Sequence, residues 1–312
     1  MRAYGVSKTT SLNIDRTSGI FLLVLASLWG GSFFFAEIAL SQVSPITIAL
    51  HRVFWAAIIL FFIIKVKDIK LPNLTRTWFI YLMMGALNNA IPFSLIFWGQ
   101  AHVGSGLASI LNGTTAIFGV VISGIFLTDE ALTKRKFIGV SFGFFGVIMI
   151  MGFDSIQNFN PSNLAQLSIL GGALSYAFAG IWGRRFLSDY SPISNAFGML
   201  LGEMILLIPT VLIFEGGPSF AISTDVFLSL ISLGVFSTAF AYLLYFSILK
   251  RAGSANLMLV TLLIPPIAIA MSYFGLNKSY NGEGLYGFVL IALGLLIIDG
   301  RLKLFLVKIL SK

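Results

Sequence analysis

Apolar stretches of about 20 residues recur from one end of this chain to the other, each long enough to cross a hydrocarbon core of roughly 30 Å at 1.5 Å per residue. That recurrence makes the bilayer the expected solvent. Of 312 residues, 57% are hydrophobic and 10% are charged, against roughly 25% charged in an ordinary soluble domain. A water-soluble surface cannot be assembled from that supply.

Turn residues and charges divide the apolar runs into ten expected transmembrane helices, at 19–40, 45–64, 77–98, 104–127, 137–152, 165–185, 192–214, 226–249, 254–275 and 284–298. Arg2, Lys8 and Arg16 precede the first run, which resembles a signal peptide in that respect. It is nevertheless longer than a signal core of roughly 7 to 15 residues, and no polar mature domain follows it. It is read as the first span.

The basic residues then set the direction. Lys65, Lys67, Lys70 and Arg76 lie between the second and third spans, and Lys134, Arg135 and Lys136 follow the fourth. Arg184 and Arg185 end the sixth, Lys250 and Arg251 end the eighth, and Arg301, Lys303, Lys308 and Lys312 form the tail. Every second connection is therefore basic, with 18 of the 20 Lys and Arg on one side. The alternate connections hold Lys278 with Asp154, Glu215, Asp225 and Glu283. By the positive-inside rule both termini are expected in the cytoplasm. The net charge of +8 follows from that topology, so no nucleic-acid partner is needed to explain it.

Self-comparison finds an internal repeat at an offset of 147 to 149 residues. "SPITIALHRVFWAAIIL" from Ser44 matches "SPISNAFGMLLGEMILL" from Ser191. "GSGLASILNGTTAIFGVVISGIFL" from Gly104 aligns with "GSANLMLVTLLIPPIAIAMSYFGL" from Gly253. "FIGVSFGFFGVIMI" from Phe137 aligns with "LYGFVLIALGLLII" from Leu285, pairing Gly139 with Gly287 and Gly146 with Gly294. Five spans per copy is an odd number, so the second copy enters the membrane from the opposite side. The expected fold is an all-α integral membrane protein of two inverted five-helix repeats, 1–152 and 153–312. Such symmetry suits alternating access.

The stretch Phe97 to Ile150, "FWGQAHVGSGLASILNGTTAIFGVVISGIFLTDEALTKRKFIGVSFGFFGVIMI", resembles the end of an EamA-type repeat of the drug/metabolite transporter superfamily. It joins a helix end, a small-residue helix, an acidic residue (Glu130), a basic turn and a glycine-spaced closing helix. "LASLWGGSFFFAEIAL" and "LHRVFWAAIILF", which contains Arg52, resemble the family's opening helices. The chain departs from the pattern at Lys278 and Ser279, where an acidic residue is expected, and in the fourth span, which lacks the family's frequent proline. The resemblance implies ten helices, a central cavity lined mainly by spans 1, 3, 4, 6, 8 and 9, and peripheral helices 5 and 10. It also implies export of amino acids and related metabolites.

Polar residues within spans are expensive and usually face protein or a water-filled cavity. Glu203 lies eleven residues after Pro192, roughly 16 Å along a helix and so near midplane. It reads either as a proton or substrate-amine site or as a packing residue, and the resemblance, which puts its helix outside the cavity, favours packing. Arg52, seven residues after Pro45, is expected to snorkel toward the outer interface in preference to binding substrate. Glu37 could pair with it. His51 points about 100° away around the same helix and is not expected to be a ligand. His51 and His102 are the only histidines, too few for a His-rich metal site.

Trp29, Phe33 and Glu37 share one helix face, as do Thr238, Tyr242 and Tyr245. Asn88 shares a face with Pro92, Asn112 shares a stripe with Thr115, and Tyr176 shares one with Gly180. Aromatic stripes are more often packing or interface anchors, but buried Asn and Tyr need polar partners. Trp29, Phe33, Asn88, Asn112, Tyr176, Thr238 and Tyr242 are the candidate cavity residues. Pro92 and the pair Pro265 and Pro266 remove backbone donors in mid-span and are candidate hinges. Gly139, Gly143 and Gly146 are expected to permit close helix packing.

The leading reading is a secondary transporter in the cytoplasmic (inner) membrane, monomeric or homodimeric, that takes a small-molecule substrate and needs no cofactor or metal. A nucleotide-sugar or drug substrate is the alternative within that class. A lipid-modifying membrane enzyme should show clustered carboxylates or a His/Asp pair, and none is found. A passive channel should line a pore with rings of charge or carbonyls. The sequence lacks GxxxxGK[ST], so ATP hydrolysis is not the expected energy source. With no cysteine, disulfides and thiolate chemistry are absent.

Overall fold

The computed structural model describes residues 14–72, 75–151, 160, 163–217, 222–267 and 284–299. Arg2, Lys8, Asp154, Lys278, Ser279, Glu283, the basic tail and the later part of the expected ninth span lie outside these residues. Among these residues twelve helices follow in order: α1 Arg16–Ala39, α2 Pro45–Val66, α3 Thr75–Gly85, α4 Ile91–Gly113, α5 Thr115–Phe126, α6 Lys134–Met151, α7 Leu164–Phe186, α8 Pro192–Phe214, α9 Thr224–Gly234, α10 Ala241–Ala252, α11 Ser254–Ile267 and α12 Gly284–Asp299. No strand occurs among the described residues.

Seven helical segments among them are long and apolar enough to cross a membrane. α11 and the Val289–Ile298 part of α12 are apolar but shorter, and α6 opens on three basic residues. Large apolar side chains stay exposed on the outward faces, as at Phe62, Phe79, Ile205, Phe214 and Leu228. Such surfaces fit lipid better than water.

Helix starts follow from local chemistry. Asp15 accepts from the Ser18 N–H at 2.8 Å to cap α1, and Asn163 accepts from the Ala165 N–H at 2.9 Å to cap α7. Proline occupies the first position of both α2 and α8, where no backbone donor is lost. Ser191 caps α8, accepting from the Ser194 N–H at 3.1 Å. Ser44 makes no such bond. A carboxylate from the other half of the chain serves α2 instead: Glu215 accepts from the N–H groups of Ile46 at 3.0 Å and Thr47 at 2.8 Å.

A π-helical turn, Ala86–Ala90, joins α3 to α4, and a second, Val235–Phe240, joins α9 to α10. In the first, the Ile91 N–H reaches back to the carbonyl of Ala86, and Pro92 follows directly. Pro92 therefore sits beside a widened turn and not in an otherwise regular helix. A proline is not required for such widening, because the second turn leads into Ala241 and Tyr242. Pro265 and Pro266 are buried within α11.

The two π turns are bedded in reciprocal contacts. Gly85, before the first, lies so close to α8 that a Cβ there would fall 2.6 Å from the Met199 carbonyl oxygen and 2.7 Å from the Glu203 nitrogen. Gly234, before the second, lies against α2, with a Cβ position 3.1 Å from the Arg52 carbonyl oxygen and 3.2 Å from the Ala56 nitrogen. Met199 and Glu203 are Arg52 and Ala56 displaced by 147 residues, and Gly234 is Gly85 displaced by 149. α6 and α12 pair the same way: Gly139 backs onto the Gly294 carbonyl, and Gly146 onto that of Gly287. Glycine at these crossings lets backbones approach where any side chain would hold them apart.

Candidate functional site

Between the helices lies a cavity whose empty space, counted out through its open side, is about 610 Å³. α1 contributes Trp29, Ser32 and Phe33, and α2 contributes Arg52. α4 supplies Phe93, Ile96, Phe97, Gln100 and Asn112, α5 supplies Thr115, and α7 supplies Tyr176. α10 adds Tyr242 and Tyr245, and α11 adds Met258, Thr261 and Ile264. The wall is thus mostly aromatic and aliphatic with a few polar groups, the usual make-up of a small-molecule site.

Its one charge among the described residues is Arg52. This side chain does not snorkel to the outer interface: it is 4% exposed and fixed by three contacts. Its Nε donates to Thr238 Oγ1 at 2.7 Å, its Nη2 donates to the Ser237 carbonyl at 2.7 Å, and its guanidinium lies 4.1 Å from the centre of the Phe93 ring. The oxygens of Thr238 and Ser237 replace water as acceptors and so offset the cost of burying the guanidinium. The π turn is what presents them. Trp29 Nε1 also donates to the Ser237 carbonyl, at 3.1 Å, so Trp29 and Arg52 are held side by side. Trp29, Tyr242 and Tyr245 form a cluster with ring centres 5.9 to 6.4 Å apart, Tyr242 meeting the other two edge-to-face and Trp29 tilted against Tyr245.

Thr238 is a support for Arg52, outside the cavity wall, and its own hydroxyl donates to the Leu233 carbonyl at 2.8 Å. Asn88 is also behind the wall, donating to Asn89 Oδ1 at 3.0 Å and approaching Met199 Sδ at 3.6 Å. Glu203 is fully buried and does not line the cavity. It is nonetheless one residue removed from it: Asn89 Nδ2 donates to Glu203 Oε2, and Tyr242 donates to Asn89 Oδ1. Glu37 is half-buried and outside the wall. His51 is half-buried and likewise absent from the wall, while the exposed His102 bonds to the Trp98 carbonyl. Among the described residues no cluster of His, Asp and Glu is placed to hold a metal.

The sequence reading passed over Ser32, Gln100, Thr261 and Asn89. None has a charged, amide or hydroxyl side chain three or four positions away, and Asn89 adjoins Asn88 at a spacing that puts the two on different faces, so none gives a periodic signal.

A second polar locus lies at the basic turn after α5. The Glu130 carboxylate accepts from the N–H groups of Ser254 and Ala255, each at 2.6 Å, and so caps α11. Arg184, ending α7, forms an ion pair with Asp129 at 2.8 Å and lies 3.9 Å from Glu130. Burial pushes the Glu130 carboxyl above the usual carboxylate range, opposed by the hydrogen bonds from Ala255 and Ser254.

Two stretches of this chain, 17–152 and 163–299, each match the model of the EamA-like transporter family. The chain belongs to that family. It is 24% identical over 275 residues to the uncharacterized transporter YoaV of Bacillus subtilis (strain 168), covering 88% of this chain and 94% of that one. An uncharacterized transporter of Archaeoglobus fulgidus is 29% identical over 286 residues, 89% of this chain and 97% of its own. The uncharacterized inner membrane transporter YedA of Escherichia coli (strain K12) is 24% identical over 277 residues, 88% and 87%. One solved protein structure superposes with a TM-score of 0.73 over 90% of this chain and 97% of that chain, at 15% identity. At that identity the likeness concerns the fold alone.

Proposed function

We propose that this chain is a secondary transporter that exports amino acids or related small organic metabolites across the cytoplasmic membrane by alternating access. The observation that carries the reading is the cavity, whose wall takes Trp29, Arg52, Phe93 and Asn112 from the first copy of the family domain and Tyr176, Tyr242 and Thr261 from the second. A site shared in this way changes its access when the two copies move against each other, which is the demand alternating access makes. The relatives' names, transporter and inner membrane transporter, support both the activity and the location.

The full architecture belongs to the same proposal: ten membrane-spanning helices in two inverted repeats, 1–152 and 153–312, with both termini cytoplasmic. The reciprocal packing of Gly85 on α8 and Gly234 on α2 favours it, because contacts exchanged between copies are what a pseudo-twofold axis produces. The alternation of basic connections supplies the direction.

Flux tests it. Purified protein in liposomes should move radiolabelled amino acids or related small metabolites down their gradients with no nucleotide present. Movement seen only when ATP is supplied would exclude the secondary mechanism.

A further inference from the structure

The polar groups of the cavity wall carry more information than their number suggests. Eleven buried side-chain atoms among the described residues have no hydrogen-bond partner, and four of them belong to this one wall: Gln100 Oε1, Asn112 Oδ1, Thr115 Oγ1 and Tyr245 Oη. Buried polar groups are nearly always paired, so four orphans in one cavity wall mark where a ligand's own polar groups belong.

Their chemistry is unequal. Among the described residues Arg52 is the only charged group in the wall, and two of its five N–H groups are engaged, by the neutral oxygens of Thr238 and Ser237. Of the twelve acidic residues, Glu37 and Glu203 alone fall within the expected spans, and neither lines the cavity. The wall therefore attracts an anion and offers no carboxylate to a cation. Gln100 is the complement. Its Nε2 donates to the Phe33 carbonyl at 3.4 Å, which orients the amide and leaves Oε1, an acceptor with no proton of its own, unpaired. An unpaired carbonyl oxygen asks for an N–H or O–H from the ligand.

Spacing separates the two demands. The guanidinium of Arg52 stacks on Phe93, and Gln100 lies seven residues further along α4, roughly 10 Å and two turns away on nearly the same face. Phe97 fills the turn between them. One ligand satisfies both ends if an apolar body separates its charge from its donor.

We infer that the cavity binds an amphipathic organic anion lengthwise, its carboxylate on Arg52 and a hydrogen-bond donor at its far end on Gln100, which makes Gln100 the specificity-determining residue. This assignment rests on the cavity being the substrate site of the proposed transporter. It narrows the ligand to carboxylates with a distal N–H or O–H, and it does not require an amino group beside the carboxylate.

The test compares two probes that differ by one hydroxyl, 3-(4-hydroxyphenyl)propionate and 3-phenylpropionate, by calorimetric titration of the purified protein in nanodiscs. The wild type should bind the hydroxylated anion at least about tenfold more tightly, since the analogue without the donor leaves the Gln100 oxygen buried and unpaired. Gln100→Leu should bring the two affinities together by weakening the hydroxylated probe alone, and Arg52→Gln should weaken both alike. The methyl ester of the hydroxylated probe should bind at least about tenfold more weakly than the acid. Equal affinities in the wild type, an ester as tight as its acid, or no binding of either acid would each overturn the inference, whether or not Arg52→Gln folds. Anion binding without any flux in liposomes would leave this assignment standing and refute the transport reading instead. Flux of other solutes with no anion binding would do the reverse.

Discussion

Asn89 and Thr238 stand 149 residues apart in sequence and at the same place in two π-helical turns, and each is bonded to a buried ionisable residue from the opposite copy of the family domain. Asn89 Nδ2 donates to Glu203 on α8, while Thr238 Oγ1 accepts from Arg52 on α2. The widened turn releases backbone and side-chain groups that a regular helix would have used internally. In one copy they hold an acid and in the other a base, so the scaffold repeats while its chemistry diverges.

Removing one partner exposes the dependence. Thr238→Val keeps the shape and deletes the acceptor, leaving the Arg52 Nε–H buried and unsatisfied. A loss of about 1 to 3 kcal/mol is expected, read as a lowered unfolding midpoint in detergent. A variant as stable as wild type would mean that Arg52 is held by the Ser237 carbonyl and Phe93 alone.

The helix crossings give a graded test. Gly85→Ala puts a methyl group against the backbone of Met199 and Glu203 at 2.6 and 2.7 Å, where no flexible side chain can give way. Overpacking of about 1 to 3 kcal/mol is expected. Gly171→Ala meets only the Leu95 Cδ1 at 3.5 Å, an ordinary contact, and should be neutral or stabilise by up to about 1 kcal/mol through helix propensity. Equal thermal shifts for the two variants would contradict the close approach at Gly85.

Helix positions were legible because apolar length and punctuation determine them: the span expected at 192–214 is Pro192–Phe214 in the structure, and 226–249 corresponds to Thr224–Ala252. Trp29, Phe33, Asn112, Tyr176 and Tyr242 were legible as cavity candidates because each lies on a helical stripe with other polar or aromatic residues. Arg52 was misjudged, since its distance from the helix start suggested a route to water, while the oxygens that hold it lie 185 and 186 residues away. The π turns left no trace in periodicity. Gln100 left none either, because what distinguishes it is the lack of a partner, which is a property of three dimensions.

The Glu130 cap couples α11 to pH. Burial raises this carboxyl above its ordinary value of 4.5, so the folded protein takes up a proton more readily than the unfolded chain. Its stabilising contribution is complete below pH 4.5 and is lost as pH rises through the folded value. Relative to Glu130→Gln, which cannot titrate, wild type should lose unfolding free energy over that window. Parallel pH profiles for the two proteins, by denaturation in detergent, would contradict the assignment. Glu130→Ala should be destabilised by about 1 to 3 kcal/mol below pH 4.5, because the N–H groups of Ser254 and Ala255 lose their acceptor, and the gap should narrow as pH rises and wild type loses its own contribution.

The last prediction separates structure from coupling at Glu203. The residue is fully buried, does not line the cavity, and reaches it through Asn89 and Tyr242. An amide between them transmits orientation well, but its carbonyl and NH2 do not pass a proton as a hydroxyl or a water does. That favours a positioning role, in which Glu203 fixes Asn89, and Asn89 fixes the Tyr242 hydroxyl behind the cavity wall. Glu203→Gln retains an acceptor for the Asn89 N–H and should fold and transport with its response to an imposed pH gradient intact. Glu203→Leu removes the acceptor and should lower stability by about 1 to 3 kcal/mol. Flux in proteoliposomes with and without a pH gradient decides between the roles. Should the Gln variant fold, bind and transport normally yet lose its gradient response, Glu203 would be a proton carrier and the positioning role would be wrong.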